Sequence, residues 1–327
     1  MESSIRRRQA LQGLAAAAAA AAAWPTAFGQ VAAGKPVRIV VGFTPGCAAD
    51  VMTRIIAKGH AAELGQQVIV DNKPGADGII SAQEVMRAQA DGATILMGTN
   101  TAMVAVPALR PNPPYDPFKA FVPISSAGEF SMFLAIAPTI PAKDLAEFLD
   151  LVAAHPGKYT SASSNSAAEL AMLQLLSTRG AKVVNARYKG DAQALTDLAS
   201  GQISMIFSTG TLMPTFVKEG KARALVTLLP KRSPLLPDVP TAAELGIGKL
   251  TITPWAGFFG PAGLPADATE KLSAGLRAAL ARPEVRDQLV AQGFASYGMT
   301  PHDFAAFFRR QYDGFVATVR ENNVKFD

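Results

Sequence analysis

The sequence predicts a two-lobed α/β protein whose chain crosses twice between the lobes. Apolar runs of strand length alternate with segments of helical spacing, an order that is typical of sheets covered by helices. A proline-rich stretch separates two such series, and a late apolar segment, LTITPWAGFFGP, is interpreted as a strand that returns to the first lobe. We expect the crossings near 130–138 and 250–258. The expected lobes are 35–132 plus 255–327 for the first and 133–254 for the second.

The first series has a strand–helix–strand–helix–strand order, which favours a parallel sheet. The segment DNKPGADG at the end of its second strand has the composition of a turn. The predicted elements are the strands VRIVVGF (37–43), QVIVDN (67–72) and ATILMGT (93–99), and the helices DVMTRIIAKGHAAEL (50–64) and GIISAQEVMRAQA (78–90).

The stretch VPALRPNPPYDPFKAFVP contains six prolines and is expected to be an ordered crossing segment or a linker. After the second series the chain is helical in three pieces, the last of which places Phe304, Phe308, Phe315 and Val319 close to one face. The second series consists of the strands FSMFLAIAP (130–138), KYTSAS (158–163), KVVNARYKG (182–190), QISMIFST (202–209) and ARALVTLL (222–229), with helices at 142–157, 165–180 and 191–201.

Residues 1–30 are predicted to be an export signal with a twin-arginine-like pattern. Three consecutive arginines (Arg6–Arg8) precede a run of nine alanines, which is too short and soft for a membrane-spanning helix. Small residues favour cleavage near Gly29 or Ala33. The alternative is an uncleaved, disordered basic tail. We expect the mature protein to be soluble in the periplasm.

Composition and charge narrow the classes of function. The chain has 327 residues, of which 49% are hydrophobic and 17% charged, and this composition suits a folded protein with a sizeable core. The formal net charge of +5 is spread along the chain and gives no reason to expect nucleic-acid binding. The single cysteine, Cys47, leaves no internal disulfide.

The chain carries no familiar catalytic signature: HExxH, GxSxG, GxxxxGKS/T and GxGxxG are all missing. His60, His155 and His302 fall on expected helix surfaces or helix ends and are interpreted as solvated, without the spacing of metal ligands. Cys47 is either a nucleophile activated by a helix start or a small packed thiol, and no base for it is apparent. We therefore predict no catalytic residue, no metal site and no cofactor.

Three turns form the candidate site, because each ends a strand and is rich in Gly, Ser, Thr or Asn. Sites in α/β sheets lie beyond the carboxyl ends of the strands. Helix starts there leave N–H groups unpaired, and with the helix dipole these attract a carboxylate. The alternative for the Ser and Asn side chains is ordinary helix capping. The turns are GFTPGCAAD (42–50), MGTNTAM (97–103) and SASSNSAA (161–168).

Asp50 has two interpretations. It is either the N-cap of the first helix or a ligand contact that accepts a hydrogen bond from an amine, a hydroxyl or water. As a ligand contact its charge would oppose a second carboxylate placed nearby.

An ordered set of motifs runs from about Lys35 to the C-terminus: KPVRIVVGFTPGCAAD, DNKPGADG followed by DGATILMGT, PYDPFKAFVPIS, ARYKGDAQALTDLASGQISMIF, KRSPLLPDVPTAAELG and WAGFFGPAGLP. With them the chain resembles the periplasmic solute-binding proteins of tripartite tricarboxylate transporters, also called Bug receptors. The resemblance implies a periplasmic binding protein of type II, a two-lobed "Venus flytrap" with two hinge crossings. It also implies an organic-acid ligand that is presented to a membrane permease.

The resemblance implies that backbone groups and bridging waters hold one ligand carboxylate between the lobes. Tyr188 is alternatively a core residue with a satisfied hydroxyl, and Lys189 a surface salt-bridge partner. The implied ligand-binding residues are Gly46, Cys47, Asp50, Thr99, Asn100, Thr101, Ser163, Ser164, Asn165, Tyr188, Lys189, Gly190 and Ser208.

Three departures from the family pattern bear on the site. Cys47 replaces the second glycine of a Gly-Gly pair, and its Cβ narrows the approach to the backbone. Ser208 lies where family members often have an acid, so the pocket is expected to be more neutral or less hostile to a second carboxylate. Arg187 either grips a carboxylate or faces solvent.

The leading hypothesis is an extracytoplasmic receptor for a small organic carboxylate, monomeric and without catalysis, that serves the small and large membrane subunits of a tripartite transporter. One alternative is a ligand sensor that feeds a membrane signalling partner. The other is an exported enzyme on the same fold, with Cys47 or Asp50 reactive.

Overall fold

A computed structural model describes residues 35–110, 112–248, 250, 252 and 254–321 of the chain. The predicted export signal lies outside these residues. The strands are β1 (Val37–Val41), β2 (Val68–Asn72), β3 (Thr94–Thr99), β4 (Phe121–Phe130), β5 (Met132–Ile136), β6 (Thr160–Ser163), β7 (Val184–Arg187), β8 (Met205–Thr209), β9 (Arg223–Thr227), β10 (Trp255–Pro261) and β11 (Phe294–Ser296).

The helices connect these strands, and none of those in the described ranges is long and apolar enough to cross a bilayer. A 3-10 turn (Ala76–Gly78) precedes the second helix, and a π turn (Thr101–Ala105) precedes the third. The helices are α1 (Ala48–Leu64), α2 (Ile79–Met86), α3 (Val106–Leu109), α4 (Pro117–Ala120), α5 (Leu145–Ala154), α6 (Ser166–Ser177), α7 (Asp191–Ala199), α8 (Met213–Lys218), α9 (Ala266–Ala281), α10 (Pro283–Ala291) and α11 (Pro301–Glu321).

The first sheet is mixed, with the strand order β11-β4-β10-β3-β1-β2. Its parallel pairs all come from the first strand–helix series, in which β1 pairs parallel with both β2 and β3. The returning strand β10 lies in the middle of the sheet and pairs antiparallel with both β3 and β4. The parallel sheet expected for the first series is thus confirmed for β1, β2 and β3. The complete sheet is mixed because the proline-rich segment leads into β4, a ten-residue strand that sequence patterning missed, and because β10 and β11 pair antiparallel with β4.

The second sheet has the order β7-β6-β8-β5-β9, with β6 parallel to β7 and β8 and with β5 antiparallel to β8 and β9. Ser131 alone connects β4 to this sheet, so the single strand expected at 130–138 consists in fact of the last residue of β4 and the whole of β5. The Phe130 N–H donates to the Pro254 carbonyl at 2.8 Å, which holds the entering and returning segments side by side. The proposed lobe boundaries stay a prediction.

Helix α11 packs an aromatic face onto the first sheet. Phe304, Phe308 and Phe315 are buried as predicted, while Val319 is half-buried against the same cluster. The Trp255 ring packs nearly edge-on against the rings of Phe304 and Phe308, each with a centroid distance of 5.8 Å. The C-terminal helix thus covers the strand that returns from the second sheet.

His60 corrects the interpretation of the three histidines as solvated. It lies about one turn before the end of α1 and is fully buried where α1 packs against α9. A methyl group at Gly275 of α9 would lie 2.9 Å from its Cε1 atom, so the fit is close. His155 and His302 have exposed side chains, as expected.

Candidate functional site

Three helices begin just after strand ends, and two of them, α1 and α6, start with unpaired N–H groups. Helix α1 follows β1, α6 follows β6 and α7 follows β7, and the last two strands are parallel neighbours. Among the described residues, the N–H groups of Ala48, Ser166 and Ala167 make no hydrogen bond within the protein. Such groups carry partial positive charge, which the helix dipole reinforces, and they suit a carboxylate.

The first turn is shaped by Gly46, whose positive φ of 82° suits glycine. Helix α1 begins at Ala48 with Cys47 as its N-cap, two residues earlier than predicted. Asp50 is therefore not the N-cap. It lies in the first turn of the helix, where its Oδ2 accepts the Gly46 N–H at 2.8 Å.

Asp50 is buried and fully occupied by its neighbours. Arg54 Nε lies 3.0 Å from the carboxylate, and Asn72 Nδ2 donates to Oδ1 at 2.8 Å. Burial alone would raise the pKa of Asp50, but the hydrogen bonds from Arg54, Gly46 and Asn72 outweigh it and hold the pKa below its usual value. Asp50 thus fixes the shape of the turn, and Asn72 ties it to Phe43 O at 3.1 Å.

In the third turn (161–168) the polar side chains form hydrogen bonds within the protein. Asn165 Oδ1 caps α6 by accepting a hydrogen bond from the Ala168 N–H at 2.9 Å. Asn165 therefore acts as an ordinary helix cap, which was the alternative to a ligand contact. Ser163 is buried and its Oγ accepts from Asn185 Nδ2 at 2.9 Å. Ser164 Oγ donates to Asp191. The backbone N–H groups at the start of α6 are what this turn offers to a ligand.

Asp191, the first residue of α7, joins three strand ends. Its Oδ2 accepts from Ser208 Oγ at 2.9 Å, from the Thr209 N–H at 2.9 Å and from Thr209 Oγ1 at 2.7 Å, while its Oδ1 accepts from Ser164. Sequence comparison with the family pattern indicated a pocket without an acid at Ser208. The structure places an acid beside that serine after all, supplied by α7.

The YKG segment has mixed roles. The Tyr188 hydroxyl donates to Asp197 Oδ2 at 2.7 Å, so it is satisfied within the protein, as one of the two alternatives for Tyr188 expected. The Tyr188 backbone N–H donates to Ser163 O at 2.9 Å. Hydrogen bonding to Asp197 raises the pKa of Tyr188. Lys189 and Gly190 are exposed, and Gly190 is the N-cap of α7. Arg187 pairs with Glu169, with Nη2 2.6 Å from Oε2.

The segment Thr99–Thr101 is buried at the end of β3. Thr99 Oγ1 has no hydrogen-bond partner in the described part of the chain. Asn100 lines a cavity of about 160 Å³ together with Trp255 and Phe315, on the side that faces α11. Thr101 begins the π turn, which packs against the 3-10 turn and against α6.

Two interactions bring the strand ends of the two sheets together. Ser166 Oγ, at the start of α6, donates to Asp77 Oδ2 in the 3-10 turn at 3.1 Å. Cys47 lies close enough to Asp191 for the two to interact electrostatically. Burial raises the pKa of the Cys47 thiol, the N–H groups of Asp50 and Ala49 offset this in part, and the charges of Asp50 and Asp191 raise it further.

Sequence reasoning missed the residues that hold the turns. Asn72 and Arg54 orient Asp50, while Asp191 gathers three loops and Asp77 reaches across to α6. The acid directly after YKG was a signal for Asp191, since an acid at a helix start suits the N-terminal dipole. The pairing of Asp77 with a serine 89 residues away has no local signal.

Two α/β sheets joined by two adjacent segments, with strand ends that interact across the sheets, define a periplasmic binding protein of the two-lobed type. The family profile described as "Tripartite tricarboxylate transporter family receptor" matches residues 52–323. The chain belongs to this family of solute-binding receptors.

Known proteins resemble the chain over most of its length. Protein BugT of Bordetella pertussis is 30% identical over 294 residues, which are 89% of this chain and 90% of BugT. A solved periplasmic transporter is 35% identical with a TM-score of 0.82, over 93% of this chain and all of the other. MatC from Rhodopseudomonas palustris, solved with bound malate, is 29% identical with a TM-score of 0.76, over 87% of this chain and 99% of MatC.

Proposed function

We propose that the chain is an extracytoplasmic receptor that binds a small organic carboxylate and delivers it to the small and large membrane subunits of a tripartite transporter. The observation that carries the proposal is that α1 and α6 both begin with unpaired N–H groups, at strand ends that interact across the two sheets through Cys47 with Asp191 and Ser166 with Asp77. The family membership and the malate bound to MatC support a carboxylate as the ligand. An export signal and periplasmic location belong to the same proposal, as does a monomeric state.

The proposed cradle consists of backbone groups, because the nearby side chains are already engaged. Gly46, Asp50, Ser164 and Asn165 form bonds within the protein that set the positions of the turns. The ligand carboxylate would lie between the Ala48 N–H and the first N–H groups of α6. A charge-assisted hydrogen bond of this kind contributes about 1.5–3 kcal/mol.

The proposal excludes chemistry at Cys47. A raised thiol pKa means that little reactive thiolate is present at neutral pH. No group of His, Cys, Asp and Glu in the described ranges is arranged to hold a metal ion. The raised thiol pKa favours a receptor over an exported enzyme in which Cys47 is reactive.

Proline substitution tests the backbone cradle. Cys47, which precedes Ala48, is extended at φ −75° and ψ 166°, so Ala48→Pro fits the first helical position and removes the N–H. Ala266→Pro is the matched control, because it occupies the same position in α9 after an extended residue, Pro265. We expect A48P to weaken binding of organic acids by about tenfold or more, while A266P binds like the wild type.

Calorimetric titration of the mature protein with a panel of organic acids and their neutral amides provides the measurement. An acid held at 100-fold over its Kd should also stabilise the protein by about 2.7 kcal/mol in thermal unfolding. Equal affinities for A48P and A266P would show that the Ala48 N–H does not bind the ligand carboxylate. If the protein binds sugars or metal ions but no organic acid, the proposal that it is a carboxylate receptor is refuted.

A further inference from the structure

A cavity of about 160 Å³, the α11 cavity, lies between α11, the π turn after β3 and the segment that leads into β10. None of its described lining residues belongs to α1 or α6, so it is separate from the proposed cradle. An engineered cavity of about 150 Å³ takes up benzene, and the α11 cavity therefore suits a ligand of about six non-hydrogen atoms.

The polar side chains around the α11 cavity have no partners within the protein. Asn100 is only 7% exposed, yet its amide group makes no hydrogen bond with any described residue. Arg310 and Gln311 of α11 line the same space, and neither side chain forms an ion pair or a hydrogen bond in the described part of the chain. Buried polar groups are normally paired, so the Asn100 amide points to a hydrogen-bonding occupant of the cavity.

The charge around the α11 cavity suits an anion. Arg310 supplies a guanidinium group, and the amides of Asn100 and Gln311 supply further N–H donors. No Asp or Glu is found among the lining residues that the structure describes. A carboxylate accepts hydrogen bonds from such donors through both of its oxygens, and the bond from a guanidinium group is charge-assisted.

The remaining wall of the α11 cavity is apolar. Val104, Ile252 and Phe315 line it, and all three side chains are buried in the main hydrophobic cluster. A short hydrocarbon chain packed against them is removed from water, which is favourable. A second carboxylate in the same place would lose its hydration without gaining a cation. The cavity therefore suits one carboxylate that is attached to a short hydrocarbon chain.

We propose that the α11 cavity is a second ligand site, which binds a short-chain monocarboxylate of the size of butyrate. Arg310 and Asn100 hold the carboxylate, and the alkyl chain packs against Val104, Ile252 and Phe315. Ile252 lies in the segment that returns from the second sheet, so an acid bound here contacts one of the two connections between the sheets.

Trp255 provides a local readout of this site. It lines the α11 cavity, and the only other tryptophan of the chain is Trp24, which the predicted export signal contains. The intrinsic fluorescence of the mature protein therefore reports on Trp255 alone. Titration with butyrate is carried out in the Ala48→Pro variant, in which the cradle lacks its first N–H group.

Arg310→Gln is added to this variant to remove the guanidinium group. Arg320→Gln is the matched control, because Arg320 is an exposed arginine of the same helix that does not line the cavity. We expect A48P and A48P/R320Q to bind butyrate with the same Kd, and A48P/R310Q to bind it about tenfold or more weakly. Butyramide and succinate should bind to A48P about tenfold or more weakly than butyrate, because the first lacks the charge and the second brings a carboxylate to the apolar wall.

Three results overturn the inference. The first is that neither fluorescence nor calorimetry detects binding of butyrate to A48P. The second is an equal Kd for butyrate in A48P/R310Q and A48P/R320Q, and the third is that butyramide binds as tightly as butyrate. None of them bears on the cradle, which is tested by comparing A48P with A266P. Failure of the cradle in turn leaves the comparison of R310Q with R320Q valid.

Discussion

His60 makes the stability of the protein depend on pH in a range where few other groups titrate. Its ring is fully buried between α1 and α9, and neither ring nitrogen makes a hydrogen bond of ordinary geometry among the described residues, although the ring lies against the backbone of Gly275. Burial lowers the pKa of His60 from 6.5 to about 4, with Gly275 and Glu63 opposing the shift in part. In the unfolded chain the ring takes up a proton near its ordinary pKa, so the unfolded state binds more protons below that pH.

The contribution of His60 is therefore fully present above pH 6.5 and is lost as the pH falls toward 4. Between pH 7 and pH 5 the loss from these two pKa values is about 2 kcal/mol, and it reaches about 3 kcal/mol at pH 4. Such a loss is a large fraction of the ~5–15 kcal/mol that stabilises a typical protein.

Urea unfolding at several pH values measures this dependence. We expect His60→Leu to abolish the loss between pH 7 and pH 5, because leucine carries no titratable group into the interface. His302→Gln is the control, since the side chain of His302 is 95% exposed. The reasoning is refuted if H60L and H302Q lose the same free energy of unfolding over this range.

Three further outcomes are expected. Asp191→Asn should lower the free energy of unfolding by about 1–3 kcal/mol, since an amide group cannot accept all four hydrogen bonds, and should weaken acid binding as measured by calorimetry. Cys47 should react with a thiol reagent more slowly than an unfolded control at neutral pH, and more slowly still with ligand bound; equal rates would contradict its burial. Gly257→Ala should cost about 1–3 kcal/mol or more in urea unfolding, because its Cβ would lie 2.2 Å from Phe304 Cζ, whereas Gly314→Ala meets nothing within 4 Å and should show no loss.

Local patterns predicted the elements that alternate regularly. The strands β1, β2 and β3 and the helices between them follow from apolar runs and helical spacing. The aromatic face of α11 was predicted from spacing alone, and its phenylalanines are buried. Strand β4 was missed because its proline and small polar residues conceal a strand whose burial depends on β10 and β11, which are distant in sequence.

The candidate site was predicted at the level of backbone and less well at the level of side chains. Strand ends rich in small residues identify where helix N-termini lie, and α1 and α6 begin there. The partners of each polar side chain depend on how the sheets pack. The role of Asp50 was therefore left open between two alternatives. The prediction that His60 is solvated was wrong, because a helix pattern does not show which neighbour covers a polar residue.

The position of β10 between β3 and β4 determines the order in which the two halves of the chain mature. All strands of the second sheet lie within one continuous stretch, 132–227, so that sheet is complete before the ribosome has made β10. The first sheet stays open until residues 255–261 arrive, with two unpaired strand edges exposed to aggregation. Nascent chains arrested before β10 should consequently contain a folded second half and an unfinished first half that needs chaperone protection.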